Sequence, residues 1–394
     1  MKRVKDFIKS HPVLMEIGFY IANFILNTLA FIVPPKKKSM IFVSLGGRNF
    51  DDSPKALYDS IINDPFFDGW DLIWAFQKPE EFVIPKGRII QFGNLKYWST
   101  LIKTYVWVGN GGLDLGLALN PRRRIVVNTW HGSVLKNGGG EENANAVLKN
   151  YRTKKRIDYR TIRCAQNEYD IIHHGRLFRA DGKCFLKCGL PRNDVLLEYN
   201  REDKNRIREK LKIGDNKKVI LYMPTYREYL IDENHDTYIA PPISLAKWEK
   251  ELSDNYVLLI RAHYEVSAAL NIKPNDFIRD VSSYQPLSEL YYLADFLITD
   301  YSCCIYDYAI LGKPFYSFAY DREEYKSKRG LYFTLEEVMP CGVYTTEDEI
   351  LDRIESADYD ADCAAVRKFR QERVPYYGHA AAAVIDEMKK RIAG

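Results

Sequence analysis

Two histidines carry the chemistry this sequence offers most directly. His131 stands in Asn128-Thr129-Trp130-His131-Gly132-Ser133, at the end of a run rich in Val and Ile. A histidine that follows a buried strand and precedes a glycine sits where the backbone turns off a sheet edge. With an ordinary pKa near ~6.5, its imidazole takes a proton from a hydroxyl at neutral pH. Lys136 and the triplet Gly138-Gly139-Gly140 follow closely, and a glycine run admits a phosphate to the backbone. A loop histidine bonded to backbone would look the same, so spacing alone does not decide. His263 stands in Arg261-Ala262-His263-Tyr264, right after YVLLI. In an extended segment residues 261 and 263 point the same way, and a guanidinium and an imidazole aimed at one point suit a diphosphate. A surface arginine beside a satisfied histidine is the alternative.

Three more clusters follow the same logic. Thr299-Asp300-Tyr301-Ser302-Cys303-Cys304 closes a buried run and opens a helix expected to begin at Ser302. A helix start offers N–H groups and partial positive charge to a phosphate, and Ser302 as an N-cap is compatible with that role. Pro224-Thr225-Tyr226-Arg227 follows KVILY, and Tyr325-Lys326-Ser327-Lys328-Arg329-Gly330 reads as a basic loop. No DxD pair stands where a metal-bound donor phosphate would need one, so cationic side chains would neutralise charge instead.

These clusters need a scaffold that delivers loops to one edge. Apolar runs at residues 40–43, 71–76, 88–92, 105–109 and 124–129 alternate with helix-like segments such as 54–63. A second series at 218–222, 256–260, 277–280, 296–299 and 314–318 repeats the pattern. Alternating β and α units imply parallel sheets with helices on both faces. A charged stretch at 200–216 reads as a linker helix. A tail over 361–392 reads as helical, broken near Pro375, with its last helix opening at 380–383. The fold class expected is α/β with two doubly wound Rossmann-like lobes and ligands beyond the carboxyl ends of strands, in the cleft between lobes. Four of the five clusters follow a strand-like run. His131 falls in the first lobe and the phosphate-friendly clusters in the second, which suggests an activated acceptor on one and a nucleotide-diphosphate donor on the other.

The chain of 394 residues, 46% hydrophobic and 28% charged, is globular in composition, which excludes disorder, collagen or coiled coil as descriptions of the whole. Its length suggests two or three domains. The net charge of +4, from 57 basic and 53 acidic residues, is too balanced to argue for nucleic acid, and no nucleic-acid-binding motif is present. Seven cysteines without a paired CxxC argue against zinc and for reduced thiols in a cytosolic body.

Residues 13–33 form a 21-residue apolar stretch interrupted by Glu16, Asn23 and Asn27. At 100° per residue those three fall within about 40° of one another. One polar stripe, with basic residues at both ends (Lys2, Arg3, Lys5 and Lys9; Lys36, Lys37 and Lys38), suits a monotopic helix resting on an anionic leaflet. A spanning helix, a cleaved leader and a buried core helix are the alternatives. A second basic patch, Arg152, Lys154, Lys155, Arg156, Arg160 and Arg163, with Arg122, Arg123 and Arg124 nearby, fits anionic lipid better than nucleic acid.

Taken together, the sequence resembles the CDP-glycerol glycerophosphotransferase family of teichoic-acid primases and polymerases. The strings are SPKALYDSI (from Ser53), NTWHGSVLK (from Asn128), GLPRND (from Gly189), ILYMPTYR (from Ile220), RAHY (from Arg261), SELYYLADFLITDYS (from Ser288), YDYAILGKP (from Tyr306) and YKSKRGLY (from Tyr325). They run in the family's order over residues 40–345. The resemblance implies a GT-B-like fold and a monotopic enzyme at the cytoplasmic face of the membrane. It would transfer glycerol phosphate from CDP-glycerol to an undecaprenyl-diphosphate-linked saccharide or growing polymer and release CMP, with no tightly bound cofactor. His131 matches the family base, with Trp130, Gly132 and Lys136 on the acceptor side. His263, Arg261, Ser302, Cys303 and Arg329, with Arg227, Thr225 and Asp300, fall on the donor phosphates. Cys303 departs from the family's usual second serine, which would keep a backbone contact and lose a hydroxyl one. Lys36, Lys37, Lys38, Arg152, Lys154, Lys155 and Arg156 would meet the membrane. The expected organisation is a helix at 1–38, an acceptor lobe at 39–213, a donor lobe at 214–345 and helices at 346–394 packing back across both. At this length there is no room for the extra N-terminal domain of some family polymerases, which leans toward a primase or a polymerase without it. A ribitol-phosphate transferase and a nucleotide-sugar glycosyltransferase are the nearest alternatives, and a non-catalytic membrane scaffold the remotest.

Overall fold

The computed structural model describes residues 12–115, 119, 123–135, 158, 160–227 and 240–394, without the side chains of 12–16, 264 and 265. The chain divides into two compact units. Unit one comprises Met1–His131, Gly138–Arg192 and His379–Gly394; unit two comprises Gly132–Asn137 and Asn193–Gly378. Lys136, Arg152, Lys154, Lys155 and Arg156 lie outside the described residues.

Unit one is built on strands β1 (Lys36–Val43), β2 (Asp71–Phe76), β3 (Arg88–Gln91), β4 (Thr104–Gly109), β5 (Ile125–Asn128), β6 (Ile162–Ala165) and β7 (Phe185–Lys187). They pair in the order β3-β2-β1-β4-β5-β6-β7, each pair parallel. Side chains alternate faces along a strand. Met40 and Phe42 of β1 therefore join one core, with Leu72, Trp74 and Phe76 of β2, and Ile41 and Val43 join the other, with Ile73 and Ala75. Burial on both faces explains why these strands read as unbroken apolar runs. Each fully buried Ile or Phe contributes about 1.5–3 kcal/mol relative to exposure. The helix Leu95–Lys103 covers the second face, started by Asn94, whose side chain accepts from the Tyr97 amide at 2.8 Å.

The apolar N-terminal stretch is a helix, Pro12–Ile32, packed on Leu95–Lys103. Of its polar stripe, Asn23 and Asn27 turn inward. Asn23 is 8% exposed and accepts from Asn27 Nδ2 at 2.9 Å, and Leu26 packs on the core beneath. The outward face is apolar, with Phe24 at 73% and Ile21 at 55% exposure. No helix among the described residues is long and apolar enough to cross a membrane.

Unit two repeats the plan. Strands β8 (Lys218–Tyr222), β9 (Tyr256–Ile260), β10 (Ile278–Asp280), β11 (Phe296–Thr299), β12 (Phe315–Phe318) and β13 (Val343–Tyr344) order as β10-β9-β8-β11-β12-β13, again parallel.

The expected lobe boundary at 213 moves to the Arg192–Asn193 peptide. The charged helix Arg201–Lys210 is no linker. It packs in unit two against Leu287–Leu293, with Arg206 on Glu289 at 2.9 Å. The tail divides. Glu347–Glu355 and Tyr359–Arg373 stay in unit two, while Ala380–Ala393 buries Val384 and Met388 in the core of unit one.

Candidate active site

In a doubly wound sheet, ligands bind beyond the carboxyl ends of the strands where the strand order reverses. In unit one that point lies between β1 and β4. Asn110 follows β4, is fully buried, and its Oδ1 accepts from the Leu45 amide after β1 at 2.8 Å. His131 comes from the neighbouring β5, and its Nδ1 lies 3.0 Å from the Asn110 main-chain oxygen. A carbonyl only accepts, so Nδ1 carries the proton and Nε2 keeps its lone pair.

Trp130 holds that geometry. It adopts φ +58°, a left-handed conformation that costs an L-residue about 1–2 kcal/mol. Its ring packs on His131 at 4.1 Å and Phe178 at 4.7 Å between centroids. Arg192 donates through Nη1 to the His131 carbonyl at 3.0 Å and to Asp52 at 2.8 Å. The His131 residue is exposed to solvent, yet surrounding protein desolvates the ring and lowers its pKa. The Asn110 bond and Asp52 oppose that shift, and Arg192 reinforces it. Neighbouring His174 is buried and driven down to about 3, chiefly by desolvation. These influences favour the neutral imidazole of His131, with Nε2 as its acceptor nitrogen.

In unit two the strand order reverses between β8 and β11. Thr225 follows β8 and its amide donates to both oxygens of Asp300, which follows β11, at 3.1 Å. Arg227 was expected at the donor phosphates, and the structure corrects this. Arg227 is 0% exposed, paired with Asp300 at 2.8 Å and Asp321 at 2.5 Å. The rings of Tyr301, Tyr320 and Tyr325 surround its guanidinium. A group without surface touches no ligand. Arg227 and Asp300 instead lock the two loops together, and burial, which opposes the charge of Arg227, is outweighed by the carboxylates. The Thr225 hydroxyl is buried with no hydrogen-bond partner among the described residues.

Arg261 and His263 follow β9. Arg261 Nη1 donates to the carbonyls of Val281 (3.1 Å) and Tyr284 (2.6 Å). His263 is exposed and its ring lies 4.5 Å from that of Tyr226. The expected helix start shifts slightly. The helix is Cys304–Ala309, and Ser302 Oγ accepts from the Cys304 amide at 3.3 Å. Cys303 is half-buried. Burial pushes the Cys304 thiol up to about 12, which makes it unreactive. All seven cysteines are thiols rather than disulfides. The basic segment ending at Arg329 is a helix, Arg322–Arg329, not a loop. Lys326, Lys328 and Arg329 complement its C-terminal dipole, and Gly330 ends it at φ +69°. Among the described residues no three His, Cys, Asp or Glu side chains are grouped to hold a metal ion.

Residues 25–388 match the model of the CDP-Glycerol:Poly(glycerophosphate) glycerophosphotransferase family. The chain belongs to this family. A teichoic acid poly(glycerol phosphate) polymerase of Staphylococcus epidermidis is 33% identical over 321 residues, 79% of this chain and 44% of that one. The chain thus spans under half the length of that relative. A teichoic acid glycerol-phosphate transferase of Staphylococcus aureus is 28% identical over 91% of this chain and 92% of its own length. Among solved structures, the wall teichoic acid polymerase TagF matches with TM-score 0.83 and 28% identity, over 99% of this chain and 98% of that chain. One TagF structure is of a histidine variant soaked with CDPG. The GT-B-like α/β class expected for a glycerophosphotransferase agrees with these matches.

Sequence reasoning missed Asn110, Asp52 and Asp321, named Tyr226 only within the cluster that follows KVILY, and saw Arg192 only inside the family string GLPRND. Asp52 immediately precedes another family string, at Ser53, and offered that signal. Asn110 acts through a main-chain oxygen, which no side-chain pattern encodes.

Proposed function

We propose that this glycerophosphotransferase moves glycerol phosphate from CDP-glycerol to a hydroxyl at the end of a lipid-linked saccharide or growing poly(glycerol phosphate). His131 Nε2 takes the acceptor proton. The acceptor oxygen forms a bond to the glycerol-bearing phosphorus, the bond to the bridging oxygen breaks in line, and CMP leaves with that oxygen. Unit two supplies the donor-binding groups. His263, Arg261, Arg329 and the amides around Ser302 and Cys303 share the charge on the transferring phosphoryl group. Trp130, beside His131 in unit one, is on the acceptor side. The enzyme works at the cytoplasmic face of a membrane, with the apolar face of Pro12–Ile32 and the side chain of Lys37 against an anionic surface.

One observation carries this reading: the hydrogen bond from His131 Nδ1 to the Asn110 carbonyl, which leaves Nε2 as a base. The test is mass spectrometry of the product formed from a synthetic lipid-linked disaccharide with CDP-glycerol, CDP-ribitol or a UDP-sugar. Glycerol phosphate addition with CMP release is expected. Addition only from CDP-ribitol, or only from a UDP-sugar with UDP released, would replace the donor assignment.

A further inference from the structure

Unit one holds a cavity of about 420 Å³ that the reaction does not use. Tyr105 and Ile125, near the amino ends of β4 and β5, line it, whereas Asn110 and Thr129 follow the carboxyl ends of those strands. The cavity therefore lies at the opposite edge of the sheet from His131. Its volume falls in the ~300–1,000 Å³ range of small-molecule sites. Pro34 and Pro35, directly after the helix Pro12–Ile32, form part of its wall.

Five cations line it: Lys37, Arg123, Arg124, Arg160 and Arg391, with no carboxylate among the described lining residues. Just outside, Glu387 pairs with Arg391 at 2.7 Å, so one charge of the five is offset. The Lys37 ammonium stands 4.3 Å over the Tyr105 ring. Arg124 donates to the carbonyls of Ala30 at 3.0 Å and Val33 at 3.1 Å, tying the end of the helix to the cavity wall. Burial and the adjacent Arg123 charge both lower the Arg124 pKa, as expected of cations gathered without a counter-charge. The exposed apolar face of the helix, including Phe24, Phe31 and Ile32, runs up to this point.

We infer that this cavity is a headgroup site for an anionic membrane phospholipid, its phosphate held by Lys37, Arg123 and Arg160 and its acyl chains laid along the outward face of Pro12–Ile32. The juxtaposition decides for a lipid over a soluble phosphate: the cationic cavity opens where an apolar helix surface ends. A phosphodiester on two chains satisfies both halves at once. The inference rests on the membrane-surface part of the proposed function and is independent of the transfer chemistry.

The test is co-sedimentation of the full chain with vesicles of phosphatidylcholine alone or with phosphatidylglycerol added. Two double variants remove the same charge: Lys37→Gln with Arg123→Gln inside the cavity, and Lys36→Gln with Lys38→Gln beside it. The cavity pair is expected to lose at least about tenfold of the gain that phosphatidylglycerol confers, while keeping binding to phosphatidylcholine. The neighbouring pair should stay within about threefold of the parent. Inorganic phosphate at matched ionic strength should not displace the parent. Equal losses in both pairs would mean a diffuse basic patch and overturn the headgroup site while leaving membrane attachment intact. Displacement by inorganic phosphate would overturn the lipid assignment. A parent chain that binds neither vesicle would remove the membrane reading itself.

Discussion

The main-chain oxygen of Asn110 lies 3.0 Å from Nδ1 of His131. This fixes which ring nitrogen is protonated, and under the proposed mechanism turnover depends on a neutral imidazole. The His131 pKa is lowered from 6.5, chiefly by desolvation. A base with a depressed pKa is active above it and loses activity as pH falls through it. Turnover should therefore be flat near neutrality, with its acidic limb below the ordinary histidine range. Arg192→Gln removes a lowering influence and should move that limb up in pH. Asp52→Asn removes a raising one and should move it down. A kcat–pH profile for each variant checks both signs.

Trp130 endures a left-handed backbone to keep its ring on His131. Trp130→Ala removes the ring and should lower kcat by about 10–100-fold, in line with misplacement of a reacting group. Donor affinity, measured by calorimetry with CDP-glycerol, should change little.

Arg227 is a structural ion that ties the loop after β8 to Asp300, which follows β11. Arg227→Met leaves Asp300 and Asp321 buried and uncompensated, which typically costs about 3–5 kcal/mol. The expected result is a lower urea midpoint for unfolding, not merely a slower enzyme.

Gly132 and Cys303 are close-packed in unit two. A methyl group on Gly132 would stand 2.5 Å from Cys303 Sγ. Gly132→Ala should therefore reduce both stability and turnover, and adding Cys303→Ala should restore much of the loss. A thermal melt and a CMP-release assay on the double variant decide it. The same contact gives a physical reason for the cysteine at 303, since its sulfur fills the space that the glycine leaves.

Much of the scaffold was legible because buried parallel strands read as continuous apolar runs. DLIWAF, KVILY, YVLLI and FLIT are strands over their full expected length. The short strands Ile162–Ala165 and Val343–Tyr344 were not assigned: Arg163 interrupts the apolar run of the first, and the second is only two residues long. Arg227 illustrates the limit at the site. In sequence it is one more cation in a loop after a strand. Its two carboxylate partners lie 73 and 94 residues away, and only the tertiary fold turns it from a ligand candidate into a buried tie. Asn23 and Asn27, turned inward on Pro12–Ile32, carry the same lesson. The spacing of Asn23 and Asn27 gave the stripe, but which face meets the protein depends on the Leu95–Lys103 helix beneath.

In the proposed mechanism His131 removes the acceptor proton while other groups hold the donor. The most direct measurement is CMP release from CDP-glycerol by the parent and by His131→Ala, alongside CDP-glycerol affinity for each. Donor affinity within about threefold and CMP release slowed by ~10²–10⁴, the usual loss for a positioned acid–base group, are expected. Full CMP release from His131→Ala in the presence of acceptor would contradict it.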